Sequence, residues 1–334
     1  MNDYRQTRNY SFHGLNLRVL CSAAIAESLD NRFRLLPSGE AQEGSVYFDF
    51  QSVANDKQHC INRPLEQGRA FYEFPRGEAF YFESLDQLYV SFRNGVRTLC
   101  SPGHGCASFS IIESDPGNLF MASHLVLTIL LVEILKRRGS YSVHAAGFSK
   151  DRKAILIPGT SGAGKSTLAI TLLRSGFGYL SDDMVFVRRQ SGELQVLGFP
   201  EDVDVSDGTI NFFSELDFLR HSSKAAGSWK RQVRADEVYG TELISEARPG
   251  AIVFPQISEK ERSVLRPISA DEAFLELASN VLLTEVRSCQ DHLNILSELA
   301  RETPCYRLRT GRDFDHIPFL LSELLSCSRE EIRA

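Results

Sequence analysis

Gly159-Thr160-Ser161-Gly162-Ala163-Gly164-Lys165-Ser166 has the residue types and spacing of a phosphate-binding loop. Successive backbone N–H groups in such a turn point at phosphate oxygens, and glycines let the main chain approach the anion closely. Lys165 would reach the β- and γ-phosphates, Ser166 would offer its hydroxyl to Mg²⁺, and Thr167 would complete the phosphate-binding set. Seventeen residues after Lys165 stand two adjacent carboxylates, Asp182 and Asp183. Facing a bound magnesium nucleotide they can divide the labour, one holding the metal and the other taking the proton of an attacking hydroxyl. The plain alternative is an acidic turn that opens the next strand.

The elements needed to position these groups can be read on either side of the loop. Ala154-Ile155-Leu156-Ile157-Pro158 predicts a buried strand, and Leu168, Ile170, Leu172 and Leu173 predict a helix over 165–175 that stops at Gly176. Phe177-Gly178-Tyr179-Leu180 then leads a second strand into Ser181-Asp182-Asp183, and Val143-His144-Ala145-Ala146 predicts a strand before the loop. The order strand, loop, helix is the one the motif requires.

Together these segments resemble the catalytic domain of HPr kinase/phosphorylase, whose architecture is related to that of ATP-dependent phosphoenolpyruvate carboxykinase. The resemblance covers 140–190, and Pro304-Cys305-Tyr306-Arg307-Leu308 looks like the terminal strand of such proteins. It implies an α/β P-loop domain, mixed α+β over the whole chain, that uses ATP and Mg²⁺. Position by position it implies Lys165 and Ser166 on the phosphates and metal, Asp182 as the base for a substrate hydroxyl, and Asp183 near Mg²⁺. His144 matches a histidine close to the catalytic aspartate, where imidazole would tune the carboxylate or contact transferred phosphate; a hydrogen-bonded core histidine is the alternative. Leu194 to Pro200 lacks the glutamate-arginine-glycine strand associated with phosphorolysis. The likeness is therefore to related kinases, some of which modify seryl groups of precursor peptides.

The rest of the chain bounds this reading. An apolar fraction of 43%, a charged fraction of 24% and a net charge of −6 describe a folded protein with no electrostatic footprint for nucleic acid. Seven cysteines without a CxxC pair suggest free thiols and a cytoplasmic setting, and His59, Cys60, His104 and Cys106 lack the usual zinc spacing. The N-terminus has no signal-peptide pattern, and the apolar run Leu119 to Leu135, interrupted by Ser123, His124, Thr128 and Glu133, predicts a buried helix rather than a membrane span.

Residues 1–115 predict a smaller β-rich domain, either structural or holding a polypeptide substrate, and 116–334 the kinase domain. Ser11 to Leu20 alternates in part, as strands do; Pro75-Arg76-Gly77-Glu78 and Asn94-Gly95 predict hairpins. Ser114-Asp115-Pro116 starts a helix that runs to about Arg138 and stops at Gly139. Residues 201–209 are acidic and predict a solvated loop near the site. Of the cations around Trp229, Lys230 is the candidate for the transferring phosphoryl group or an acidic substrate, a solvated loop being the equal alternative, and Arg248, before the short strand Ala251 to Pro255, is a second; a surface ion pair serves equally for Arg248. The expected activity is transfer of the γ-phosphoryl group to a serine of a protein or precursor peptide, with homo-oligomer formation left open. A kinase of a free small hydroxyl compound and a non-catalytic nucleotide sensor are the alternatives.

Overall fold

Period-two alternation of apolar side chains builds the first part of the chain. Leu15, Leu17, Val19 and Cys21 are buried while the residues between them are not. The computed structural model describes residues 5–36, 46–93, 95–160, 162–222, 224, 230–258, 260–279, 281–282 and 284–326. Within them the chain is mixed α+β and forms two units, one reaching Ser140 and adding Leu282–Gln290, the other holding Tyr141–Val281 and the chain from Asp291.

The first unit is a sheet of β1 (Gln6–Phe12), β2 (Leu15–Cys21), β3 (Val46–Ser52), β4 (Arg69–Phe74), β5 (Gly77–Phe82), β6 (Gln87–Phe92), β7 (Val96–Ser101) and β8 (Cys106–Ile111). Their order is β1-β2-β3-β8-β7-β6-β5-β4, antiparallel except where β3 lies parallel to β2 and β8. The stretch Ser11 to Leu20 is divided between β1 and β2, because His13 and Gly14 take left-handed angles (φ 51° and 80°) and turn the chain back on itself. The hairpins at Pro75-Arg76 and before Gly95 form as expected; Asn94 itself lies outside the described residues.

Helix α1 (Ala23–Arg32) buries Ile25, Ala26 and Leu29. A second helix, α2, begins where Asp115 accepts a hydrogen bond from the Gly117 amide, with Pro116 in the first turn. It continues through a wider turn at 122–126 to Lys136 and is closed by Gly139 at φ 76°. By length and composition Pro116–Lys136 could cross a membrane, which the apolar run alone did not suggest, yet 67% of its apolar window is buried inside the protein. Its polar residues have partners there. Ser123 donates to the Leu119 carbonyl at 2.8 Å, and burial with the Arg32 charge pulls the His124 imidazole down to about 3.

The second unit has eleven described strands: β9 (Tyr141–Val143), β10 (Ala145–Lys150), β11 (Lys153–Pro158), β12 (Gly178–Ser181), β13 (Val185–Gln190), β14 (Glu193–Leu197), β15 (Val203–Val205), β16 (Arg231–Val233), β17 (Glu246–Ile257), β18 (Val264–Pro267) and β19 (Cys305–Thr310). The central order is β12-β10-β11-β17, and β17 goes on to pair β14 with its first residues and β19 with its last. Strands β11, β17 and β19 run parallel. The short strand expected at 251–255 is the buried middle of the twelve-residue β17, whose Pro249-Gly250 is absorbed by a register shift against Ala154 and Ile155. Helix α3 (Lys165–Arg174) buries Leu168, Ile170, Leu172 and Leu173 and ends before Gly176 at φ 77°.

Candidate active site

Strand register alone collects the three motifs. Ala145 of β10 pairs Pro158 of β11, so His144 and Gly159 leave the sheet side by side. On its other edge β10 pairs β12 through Gly147 and Ser181, which brings Asp182 and Asp183 to the same end. Gly147 keeps this edge tight: a Cβ there would stand 2.7 Å from Val185 Cγ1 and 3.1 Å from Leu180 Cβ.

The loop has the geometry its glycines permit. Gly162 and Gly164 are left-handed at φ 86° and 96°, the Ala163 amide donates to the Thr160 carbonyl, and α3 starts at Lys165. Ser166 and Thr167 fall in the first helical turn, where unpaired N–H groups and the helix dipole favour an anion. Ser161 lies outside the described residues. The Lys165 ammonium donates to the Gly159 carbonyl and stands 3.2 Å from His144 Nε2. Burial lowers the pKa of both groups, against the pull of Asp183 on each.

The two aspartates face different surroundings. Asp182 is 7% exposed, whereas the Asp183 side chain is 66% exposed and its Oδ1 lies 3.5 Å from His144 Nδ1. Ser181 locks the turn between them and the sheet, donating to the Phe199 carbonyl at 2.9 Å and accepting from the Met184 amide at 3.3 Å. Asp182 Oδ2 accepts the Asp204 amide at 3.0 Å, while Oδ1 is buried with no partner among the described residues. Burial, with the charges of Asp183 and Asp204, pushes the Asp182 carboxyl up to about 7, against the Asp204 N–H and Lys230.

Residues 201–209 are not a plain solvated loop. Val203 and Val205 are buried, and β15 pairs β16 as a ribbon. Below it, Ser206 caps the helical turn Asp207–Ile210, and Thr209 Oγ1 lies 3.3 Å from Thr167 Oγ1 of α3. The ribbon supplies Asp204, whose carboxyl is raised by burial, and at its foot Lys230, whose charge acts on His144, Lys165, Asp182 and Asp204. Trp229 lies outside the described residues. Sequence reasoning named Ser181 only within the motif ahead of the aspartates, and Asp204 and Thr209 only within the acidic segment 201–209, without a role for any of them; the alternation Val203-Asp204-Val205 was the available signal.

Arg248 is not brought here. It pairs Lys153 at the entrance of β11, whereas the loop follows Pro158 at the exit, about 17 Å along the strand. Its side chain is 71% exposed and meets Glu193 at 2.9 Å, the surface ion pair. Of Pro304 to Leu308, Cys305 to Leu308 lies in β19, parallel to β17.

The residues fit a magnesium nucleotide. Mg²⁺ bound to phosphates takes one or two protein oxygens and fills its remaining places with phosphate and water. Ser166 and the exposed Asp183 would supply such oxygens, and the buried Asp182 Oδ1 has no partner among the described residues. Among the described residues no three His, Cys, Asp or Glu side chains group to hold a metal by themselves.

No family model matches the chain, and no curated protein matches it. Among solved structures, the Hpr(Ser) kinase/phosphatase from Coxiella burnetii is similar over 58% of this chain and 99% of its own, at 12% identity. The TM-score is 0.32, too low to indicate a shared fold.

Proposed function

We propose that the chain is an ATP-dependent kinase of the HPr-kinase-like type that transfers the γ-phosphoryl group to a hydroxyl, a serine of a protein or precursor peptide. One observation carries the transfer chemistry: Lys165, His144, Asp182 and Asp183 converge at one end of three adjacent strands, with one aspartate buried and the other open. The serine acceptor rests on the motif resemblance.

In this reading the loop amides and Lys165 hold the phosphates, and Ser166 with Asp183 holds Mg²⁺. When bound, the metal offsets phosphate charge and helps align the γ-phosphoryl group. The acceptor hydroxyl gives its proton to Asp182; its oxygen bonds to the γ-phosphorus as the bond to the β-γ bridging oxygen breaks, leaving ADP. A carboxyl held near neutrality is suited to that exchange, since a general base works best with a pKa near the working pH. His144, bridging Lys165 and Asp183, orients both, and Lys230 adds positive charge where the phosphoryl group passes.

The test is phosphate transfer from γ-labelled ATP in an extract of the native host, with Lys165→Ala as the blank. Labelled phosphoserine in a polypeptide is expected. Label confined to small molecules would move the assignment to a metabolite kinase; binding without transfer to any acceptor would move it to a nucleotide sensor.

A further inference from the structure

The loop divides its surroundings into two sides. His144, Asp182 and Asp183 stand on the side of β10 and β12, and β17 lies on the other. From Ala251 to Pro255 β17 is buried, but at its carboxyl end Ile257 is 64% exposed. That side chain belongs to the loop's rim: its Cγ1 lies 3.5 Å, and its Cδ1 3.9 Å, from where a Cβ on Gly164 would stand. Open α/β sheets bind ligands outside the carboxyl ends of their parallel strands, and β11 and β17 both end here.

Resting on the nucleotide reading above, we infer that Ile257 is the apolar ledge for the nucleoside, packing against the ribose and purine ring. The loop follows β11, so a triphosphate with its γ end toward Asp182 and the rest running along the strand ends away from β12 reaches β17, the strand beyond the loop on that side. A single exposed apolar residue is ordinary on a protein surface. This one differs in abutting the glycine that starts the phosphate-binding helix. Phosphates would be gripped by backbone and Lys165, while Ile257 would recognise the part of the ligand that inorganic phosphates lack.

Calorimetric titration of the full chain with ATP and with inorganic tripolyphosphate, each with Mg²⁺, separates these roles. Ile257→Ala is expected to weaken ATP about five- to ten-fold, the loss of one partly buried aliphatic contact. Tripolyphosphate affinity should stay unchanged, and Ile257→Leu should retain most of the ATP affinity. Lys165→Ala should weaken both ligands. Unchanged ATP affinity in Ile257→Ala, or equal losses for both ligands, overturns the ledge while leaving the phosphate site standing. If Lys165→Ala weakens neither ligand, the nucleotide reading itself fails and the ledge with it.

Discussion

Asp182 and Asp183 are identical in type and adjacent in sequence, and the fold assigns them opposite environments. Asp183 points outward beside His144, while Asp182 is buried against the Asp204 amide. Desolvation disfavours charge on the inner carboxylate, so it remains protonated below about pH 7. In the proposed transfer, a protonated Asp182 could not act as the base. The turnover rate is therefore expected to rise by about tenfold per pH unit up to neutrality and then level off. A profile of kcat at saturating ATP checks this, and a flat profile through neutrality would remove Asp182 from the role. Asp182→Asn keeps the shape of the site but cannot take the proton; it should bind ATP normally and lose about 10²-fold or more in kcat. The pair and its distance from Lys165 were legible in the sequence. Which of the two would be shielded was not, because burial is contributed by residues far along the chain.

Strand–loop–helix could be read directly, because buried strand, left-handed glycines and amphipathic helix are properties of neighbouring residues. The ribbon of β15 and β16 could not. Its strands are three residues each, too short to show a period, and find each other only across a long intervening segment. Gly198, which leads the chain out of β14 toward the ribbon, is a sharper element-scale constraint. A Cβ there would stand 2.5 Å from the Ile244 carbonyl oxygen and 3.0 Å from that of Leu180, both backbone atoms that cannot swing aside. Gly198→Ala should cost about 1–3 kcal/mol in a denaturant titration. Because Leu180 leads directly into Ser181 and Asp182, a shift of that strand should also lower kcat more than it changes ATP affinity. The amide of Asp204 offers an independent check by hydrogen exchange. It should be protected in the native protein and lose protection in Asp182→Ala, which removes its acceptor.

At the scale of the whole molecule, the chain passes from the first unit to the second and returns for a short segment, Leu282–Gln290. That return closes a buried polar cluster on α2. Glu133 and Lys136, both with fully buried side chains, pair at 2.7 Å; Arg137 and Thr284 complete the Glu133 carboxylate, and Lys136 also donates to the Leu282 carbonyl. Removing one partner of such a pair strands the other, so Glu133→Ala should lose about 3–5 kcal/mol of stability, measured by thermal and urea unfolding. A fragment ending at Ser140 would lack Leu282 and Thr284 and should melt below the full chain. Nothing in the sequence announced this return, since the segment carries no motif and its partners lie far upstream. Loop, helix caps, hairpin turns and the aspartate pair were decided locally, by glycine's access to left-handed angles, the period of apolar residues and the reach of short side chains. Which groups share the site, how buried each is and which cation stands near were decided by strand register and long-range packing. Acidity depends on what lies across space, and only the fold specifies that.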